Sequence, residues 1–360
     1  MSHALGRLED LPQSYRDELT ALNLVPLWPS LRAVLPPGVP TRKTAPTHWP
    51  YQALRPLLMR AGELTPMEKA ERRVLVLANP GHGLENMKAS PAMYLGMQLL
   101  LPGEWAPSHR HTPNAVRMVV EGEGACTTVD GERCPMQRGD LILTPTGLWH
   151  EHEHTGTEPV VWLDVLDLPV IYYAETSYAI EGQRQEVKPG RGDQAYARGG
   201  VAPTPLFVRQ NGSAGATNSH GGYPMLRYPW ADAKAALQAM AEDQPALEAV
   251  QITYVNPETG ADAQNNLGYY ALMLRPGQTL RLPARSPSCV FHQIEGSVDV
   301  AVGNAGEHAT TFTLAEADTC CAPGYTAVTL TNRNAHAPAY VFMADESPFH
   351  RKLGVYENRG

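Results

Sequence analysis

The chain of 360 residues has few cysteines, few aromatic residues and no long apolar run. Its five cysteines are odd in number and two of them, Cys320 and Cys321, are adjacent, which argues against a disulfide framework and suits a reducing cytoplasm. Their spacing matches no zinc–cysteine motif. No apolar run approaches the roughly 20 residues of a membrane-spanning helix. The polar, acidic start "MSHALGRLEDLPQSYRDEL" does not read as a secretory signal. Positive charge is also in deficit: 29 Lys and Arg against 37 Asp and Glu leave a net charge of −8. With no basic stretch interleaved with aromatics, nucleic acid is excluded as a bulk electrostatic partner. A local basic pocket for a small anion remains compatible with that balance.

Proline and glycine, by contrast, are abundant at 32 and 31. Together with many short apolar runs they predict a mainly β protein with frequent turns. Helical spacing is expected over residues 8 to 35, broken by prolines at 26, 29, 36, 37 and 40, and again at about 50 to 62. "RRVLVLANPG" reads as a strand ending in a turn. From 92 to 171 the segments "MYLGMQLLL", "AVRMVVEG", "ACTTV", "DLILTP" and "VVWLDVL" are each of strand length, and "VDGE" is a hairpin turn. Such spacing suggests a small barrel or jelly roll. Residues 182 to 230 read as a long Gly-, Pro- and Asn-rich loop, followed by a helix at "ADAKAALQAMAED".

The same grammar then returns. "GYYALMLRPGQTLRLPARSPSCVFHQIEGSVDV" parallels "AMYLGMQLLLPGEWAPSHRHTPNAVRMVVEGEG", with Gly277 over Gly103 and Gly296 over Gly122. Further on, Asp318 falls over Asp140 and Pro323 over Pro145. The chain is therefore read as two copies of one β module. The expected organisation is an N-terminal helical and extended segment over 1–90, a metal-binding module over 91–180, a linker loop and helix over 181–249, and a second module over 250–360.

The first copy carries G-x5-H-x-H at Gly103, His109 and His111, then G-x5-P-x-G-x2-H at Gly139, Pro145, Gly147 and His150. His109 and His111 share a face of a strand. A small barrel brings His150 to the same interior. These paired motifs resemble those of the cupin superfamily. A glutamate usually follows the second histidine there by four or five residues; here those positions hold Ala115 and Val116. The expected site is three neutral imidazoles with no carboxylate, and ligand type alone does not choose among Fe, Zn, Cu and Ni. In the second copy His109 maps to Pro283, His111 to Arg285 and His150 to Val328, so only the first module is expected to hold metal.

Several groups surround that site by strand parity. Arg117 is an inward cation suited to a substrate carboxylate, or to an ion pair with Glu121 or Glu123. Gln98, Gly96 and Tyr94 share one face: Gln98 as a donor to a substrate oxygen, Gly96 leaving room for a ring. In "WHEHEH", His152 is the next inward group after His150 and a candidate acid or base. Asp164 is a candidate to orient His152 or a ligand imidazole.

"APSHRHTPNAVRMVVEGEG", "DGER", "GDLILTPTGLWHEH" and "WLDVLDLP" resemble the gentisate 1,2-dioxygenase family, and "VPLWPSL", "ERRVLVLANPG" and "SPAMYLGMQ" extend the likeness upstream. The resemblance implies a bicupin, two jelly-roll barrels, with one Fe(II) per subunit on the three histidines. It further implies a homotetramer and oxidative cleavage of a small aromatic hydroxy acid by O2. It carries a substrate-binding arginine onto Arg73; the residues themselves do not favour Arg73 over Arg72. The related salicylate and 1-hydroxy-2-naphthoate dioxygenases share these motifs, and Tyr94 and Gly96 lie where pocket shape differs among them. Two other readings stay open: a zinc or nickel cupin doing non-oxidative work, and a small-molecule-binding cupin without turnover.

Overall fold

Strand alternation sorts the side chains of each module into an inward and an outward set, and two sheets per module follow from it. The structure, a computed structural model, describes residues 5–187, 223–257 and 259–359. Residues up to Lys43 form one compact unit and Thr44 onward another. In the first unit the prolines confine helix to a turn at Leu8–Asp10 and the helices Gln13–Ala21 and Leu31–Val34. The expected N-terminal segment of 1–90 thus divides at 43, and its later part joins the barrels.

The first barrel has a six-stranded sheet in the order Arg227–Tyr228, Leu141–Thr144, Ala115–Glu121, Val160–Leu166, Tyr94–Leu100, Val74–Val76. It faces a five-stranded sheet of Ala179–Glu181, Trp105–His111, His150–His154, Ala125–Val129 and Glu132–Pro135. The "VDGE" turn closes the last pair, with Asp130 and Gly131 both at positive φ. The second barrel repeats the plan. Thr47–Trp49, Thr319–Ala322, Cys289–Glu295, Ala339–Asp345, Gly268–Leu274 and Val250–Thr253 face Thr279–Arg285, Thr326–Thr331, Val298–Val302 and Thr310–Leu314.

The outward faces of the two six-stranded sheets share one apolar cluster. Leu95, Met97, Leu99, Met118 and Leu163 join Tyr269, Ala271, Val290, Phe342 and Ala344. A second cluster, with Leu272, Phe291, Val328, Leu330, Val341 and Met343, fills the inside of the second barrel.

The barrels also exchange arms. Thr47–Trp49 pairs with Thr319–Cys321 of the second barrel, and the helix Tyr51–Leu64 follows it. Reciprocally, Arg227–Tyr228 pairs with Leu141–Ile142 of the first barrel and leads into the helix Trp230–Asp243. Asp318 accepts the first helical N–H, from Tyr51, at 2.7 Å; Asp140 accepts that of Trp230 at 2.8 Å. A carboxylate at a helix N-terminus satisfies an otherwise orphaned donor and favours the dipole. The two aspartates that align in sequence are therefore the sockets for the two arms. Much of the expected linker loop, residues 188–222, lies outside the described residues. Among the described residues no helix is long and apolar enough to cross a membrane.

Candidate metal centre

His109 and His111 end the strand Trp105–His111, and His150 opens the strand paired with it, directly opposite His109. Register alone therefore assembles three imidazoles. Their ring centroids lie 4.1 to 5.3 Å apart, and one nitrogen from each falls within 4.8 Å of the others. His111 Nδ1 lies 2.7 Å from the Pro113 carbonyl and His150 Nδ1 lies 3.0 Å from that of Leu148. Those carbonyls hold the proton on Nδ1 and leave Nε2 as the ligand atom. His150 Nε2 is buried without a partner. Burial pushes His109 down to about 2 and His111 to about 4, and holds His150 well below the ordinary range. Neutral imidazoles, with Nε2 lone pairs presented by His111 and His150 and the His109 ring facing them, fit a divalent transition ion. Ala115 and Val116 bring no carboxylate to the cluster.

Around the imidazoles sits a set of buried polar atoms with no hydrogen-bond partner: Gln98 Nε2, Arg117 Nε, His152 Nε2 and Asp164 Oδ1. Arg117 Nε and Asp164 Oδ1 face each other as an ion pair at 3.4 Å, which leaves Gln98 Nε2 and His152 Nε2 as the groups without a protein partner, and native interiors rarely leave such groups unpaired. His152 Nδ1 lies 3.0 Å from Thr127 Oγ1, which donates to Met136 Sδ at 3.5 Å. With Met136 Sδ as an acceptor for its proton, Thr127 can take Nδ1–H, the tautomer that leaves the His152 Nε2 lone pair to accept a proton. Burial lowers His152 strongly, so the ring is neutral.

Asp164 does not reach a histidine, contrary to expectation. Its Oδ2 accepts from Trp162 Nε1 at 3.1 Å and its Oδ1 lies 3.4 Å from Arg117 Nε, so it orients Arg117. The register explains this, because Asp164 is the direct cross-strand partner of Arg117. Burial raises Asp164 to about 6 against the pull of Arg117. The alternative partner Glu121 is taken by Tyr51 and Arg55.

Arg73 is not brought into the site. Val74 pairs with Gln98 and Val76 with Gly96, so residues 72, 74 and 76 follow the inward face and Arg73 the outward one. Arg73 forms an ion pair with Glu104 under the helix Tyr51–Leu64, near Gly62. Arg72 instead contacts His109 Nδ1 and donates to the Pro107 carbonyl at 2.5 Å. Burial, then the nearby Arg117, lowers it to about 10, so it stays charged. The register of one short strand was the signal needed, and sequence does not print it.

Tyr94, Gly96 and Gln98 do share the inward face. The space beside Gly96 is not open, however: a Cβ there would lie 2.5 Å from Val74 Cγ1 and 3.0 Å from Tyr94 Oη. Gly96 lets those two side chains close over the strand rather than making room for a ring.

A cupin domain model matches residues 96–166. A gentisate 1,2-dioxygenase of Ralstonia sp is 72% identical over 100% of this chain and 98% of its own length. A gentisate 1,2 dioxygenase 1 of Aquipseudomonas alcaligenes is 34% identical over 96% of this chain and 95% of its own. The crystal structure of salicylate 1,2-dioxygenase from Pseudoaminobacter salicylatoxidans, as adducts with gentisate, is 31% identical. It superposes with a TM-score of 0.84 over 97% of this chain and 94% of that one. With two jelly-roll barrels and a three-histidine centre in the first, the chain belongs to the gentisate 1,2-dioxygenase family of bicupin ring-cleaving enzymes.

Proposed function

We propose that the enzyme cleaves gentisate, 2,5-dihydroxybenzoate, with O2. The ring bond between the carboxyl-bearing and 2-hydroxyl-bearing carbons breaks, both oxygen atoms enter the product, and maleylpyruvate results. His109, His111 and His150 would hold one Fe(II) per subunit. When bound, the ion supplies open coordination positions for the acid and for O2 and couples ring electrons to oxygen.

The chain's own residues do the rest. Arg117, braced by Asp164, and Arg72 clamp the substrate carboxylate; a guanidinium fork matches it. Gln98 donates to a substrate oxygen, and Tyr94, packed over Gly96, borders the ring. His152 Nε2 takes the proton of the 2-hydroxyl, which makes the ring electron-rich. Burial keeps water out and strengthens each of these contacts. We further infer a cytoplasmic homotetramer. The free cysteines support the first part. The exposed Tyr172, Tyr173, Tyr178 and Ile180 offer apolar surface for the second.

One observation carries this reading: three imidazoles share a barrel interior with the buried Arg117–Asp164 pair and with the unpartnered Gln98 Nε2 and His152 Nε2. An oxygen-uptake panel with gentisate, salicylate and 1-hydroxy-2-naphthoate on iron-loaded enzyme tests it. One O2 consumed per gentisate, faster than with the other acids, is expected. Uptake with salicylate alone would reassign the substrate. Turnover by zinc- or nickel-loaded protein without oxygen would replace the reaction.

A further inference from the structure

We infer that Gln264, contributed by the metal-free module, is a positioning residue for Arg117 of the metal-bearing one. The inference rests on Arg117 binding the substrate carboxylate.

Gln264 is only 2% exposed and precedes the strand Gly268–Leu274. Its Oε1 accepts from Tyr269 Oη at 2.9 Å, which fixes the amide so that Nε2 is the free donor. That Nε2 donates across the module boundary to the Ala115 carbonyl at 2.8 Å. The same carbonyl accepts from Thr144 Oγ1 at 3.3 Å. Thr144 has one proton, and giving it to Ala115 turns the lone pairs of Oγ1 toward Arg117. Arg117 Nη1 donates to that oxygen at 2.7 Å. Every member of the line is buried. Ala115 is also two residues before Arg117 on one strand, so both point inward. Gln264 thus pins the start of the strand that carries Arg117, and Thr144 pins the guanidinium.

Among the described residues, a tie in the other direction, Ser90 Oγ to Glu346 Oε1 at 2.6 Å, leads to no guanidinium inside the second barrel. The positions matching Ala115, Arg117 and Thr144 in the second barrel are Cys289, Phe291 and Ala322. A second tie between modules exists nearby: Asn266 Nδ2 donates to Asp167 Oδ2 at 2.8 Å, and Asp167 accepts from Asn114, just before the strand of Arg117, without reaching Thr144 or the guanidinium. It supplies the control.

The test uses full-length, iron-loaded enzyme and measures anaerobic gentisate affinity by calorimetry beside steady-state kinetics. Gln264→Leu should weaken gentisate binding and raise its KM about five- to tenfold, the worth of a buried hydrogen bond. The KM for O2, the iron content and kcat should stay within about twofold of wild type. Tyr269→Phe, which frees the amide without emptying the site, should give a smaller shift in the same direction. Thr144→Val should match Gln264→Leu, Thr144→Ser should restore binding, and Gln264→Leu with Thr144→Val should be less than additive. Asn266→Ala, which loosens the start of the strand but leaves the line through Thr144 intact, should lower thermal stability and weaken gentisate binding less than Gln264→Leu does. Wild-type affinity in both Gln264→Leu and Tyr269→Phe, alongside weakened binding in Arg117→Ala, would overturn the relay. Wild-type affinity in Arg117→Ala would instead overturn the clamp on which it rests.

Discussion

The two barrels share one backbone plan and differ at the positions that point inward. The first places Gln98, Arg117, His150, His152 and Asp164 there; the second places Leu272, Phe291, Val328, Leu330 and Met343. At the place of His111 stands Arg285, tied to the fully buried Asp345 at 3.2 Å. Even the close pair is reversed: Tyr94 over Gly96 in the first, Tyr270 over Gly268 in the second. A jelly roll therefore does not require either interior. An apolar one stabilises by burial, whereas a polar one leaves groups unpaired at a cost the rest of the molecule must offset. The shared cluster between the sheets and the filled second barrel supply that offset. The second module is also more than ballast if Gln264 sets Arg117.

This contrast can be broken most severely at its centre. His150→Ala should lose its iron and its oxygen uptake while keeping the wild-type circular dichroism spectrum. Its counterpart Val328→Ala should keep both activities and lose on the order of 1–3 kcal/mol of stability, read by denaturant unfolding. A loss of iron in Val328→Ala would mean the barrels are not separable in this way. Next in size, Arg117→Leu should raise the KM for gentisate roughly hundredfold, as for a charged pair removed from a buried site. Phe291→Ala in the other barrel should cost about 3–5 kcal/mol of stability and leave KM alone.

Arg72→Ala should weaken gentisate binding about tenfold. Arg73→Ala should leave binding intact and cost about 1–3 kcal/mol through the lost pair with Glu104. The opposite ranking would restore Arg73 to the pocket. Smallest, Thr127→Val should lower kcat by about three- to tenfold with KM unchanged, and Thr127→Ser should recover it. An unaltered kcat in Thr127→Val would remove Thr127 as the group that orients His152.

Much of this was legible in the chain itself. The first stretch of the repeat could be laid out without a gap because turn glycines recur where the backbone needs positive φ, as at Gly103, Gly122, Gly277 and Gly296. The cluster of His109, His111 and His150 followed from motif spacing, and the shared face of Tyr94, Gly96 and Gln98 from strand parity. What stayed hidden depends on pairing between distant strands. The register of Val74–Val76 against Gly96–Gln98 decides between Arg72 and Arg73. The pairing of Asp164 with Arg117 decides whom that carboxylate serves. Asp140 and Asp318 aligned in sequence, but nothing local says that each receives the arm leading to the other half's helix. Nor does local pattern reveal that the space beside Gly96 is filled by Val74.

The central claim is that one barrel holds the metal and the other does not. Anomalous diffraction at the iron edge, on crystals of iron-loaded enzyme, tests it most directly. A single peak per chain where His109, His111 and His150 meet is the expected result. No peak there, or a second one beside Arg285 and Val328, would contradict it.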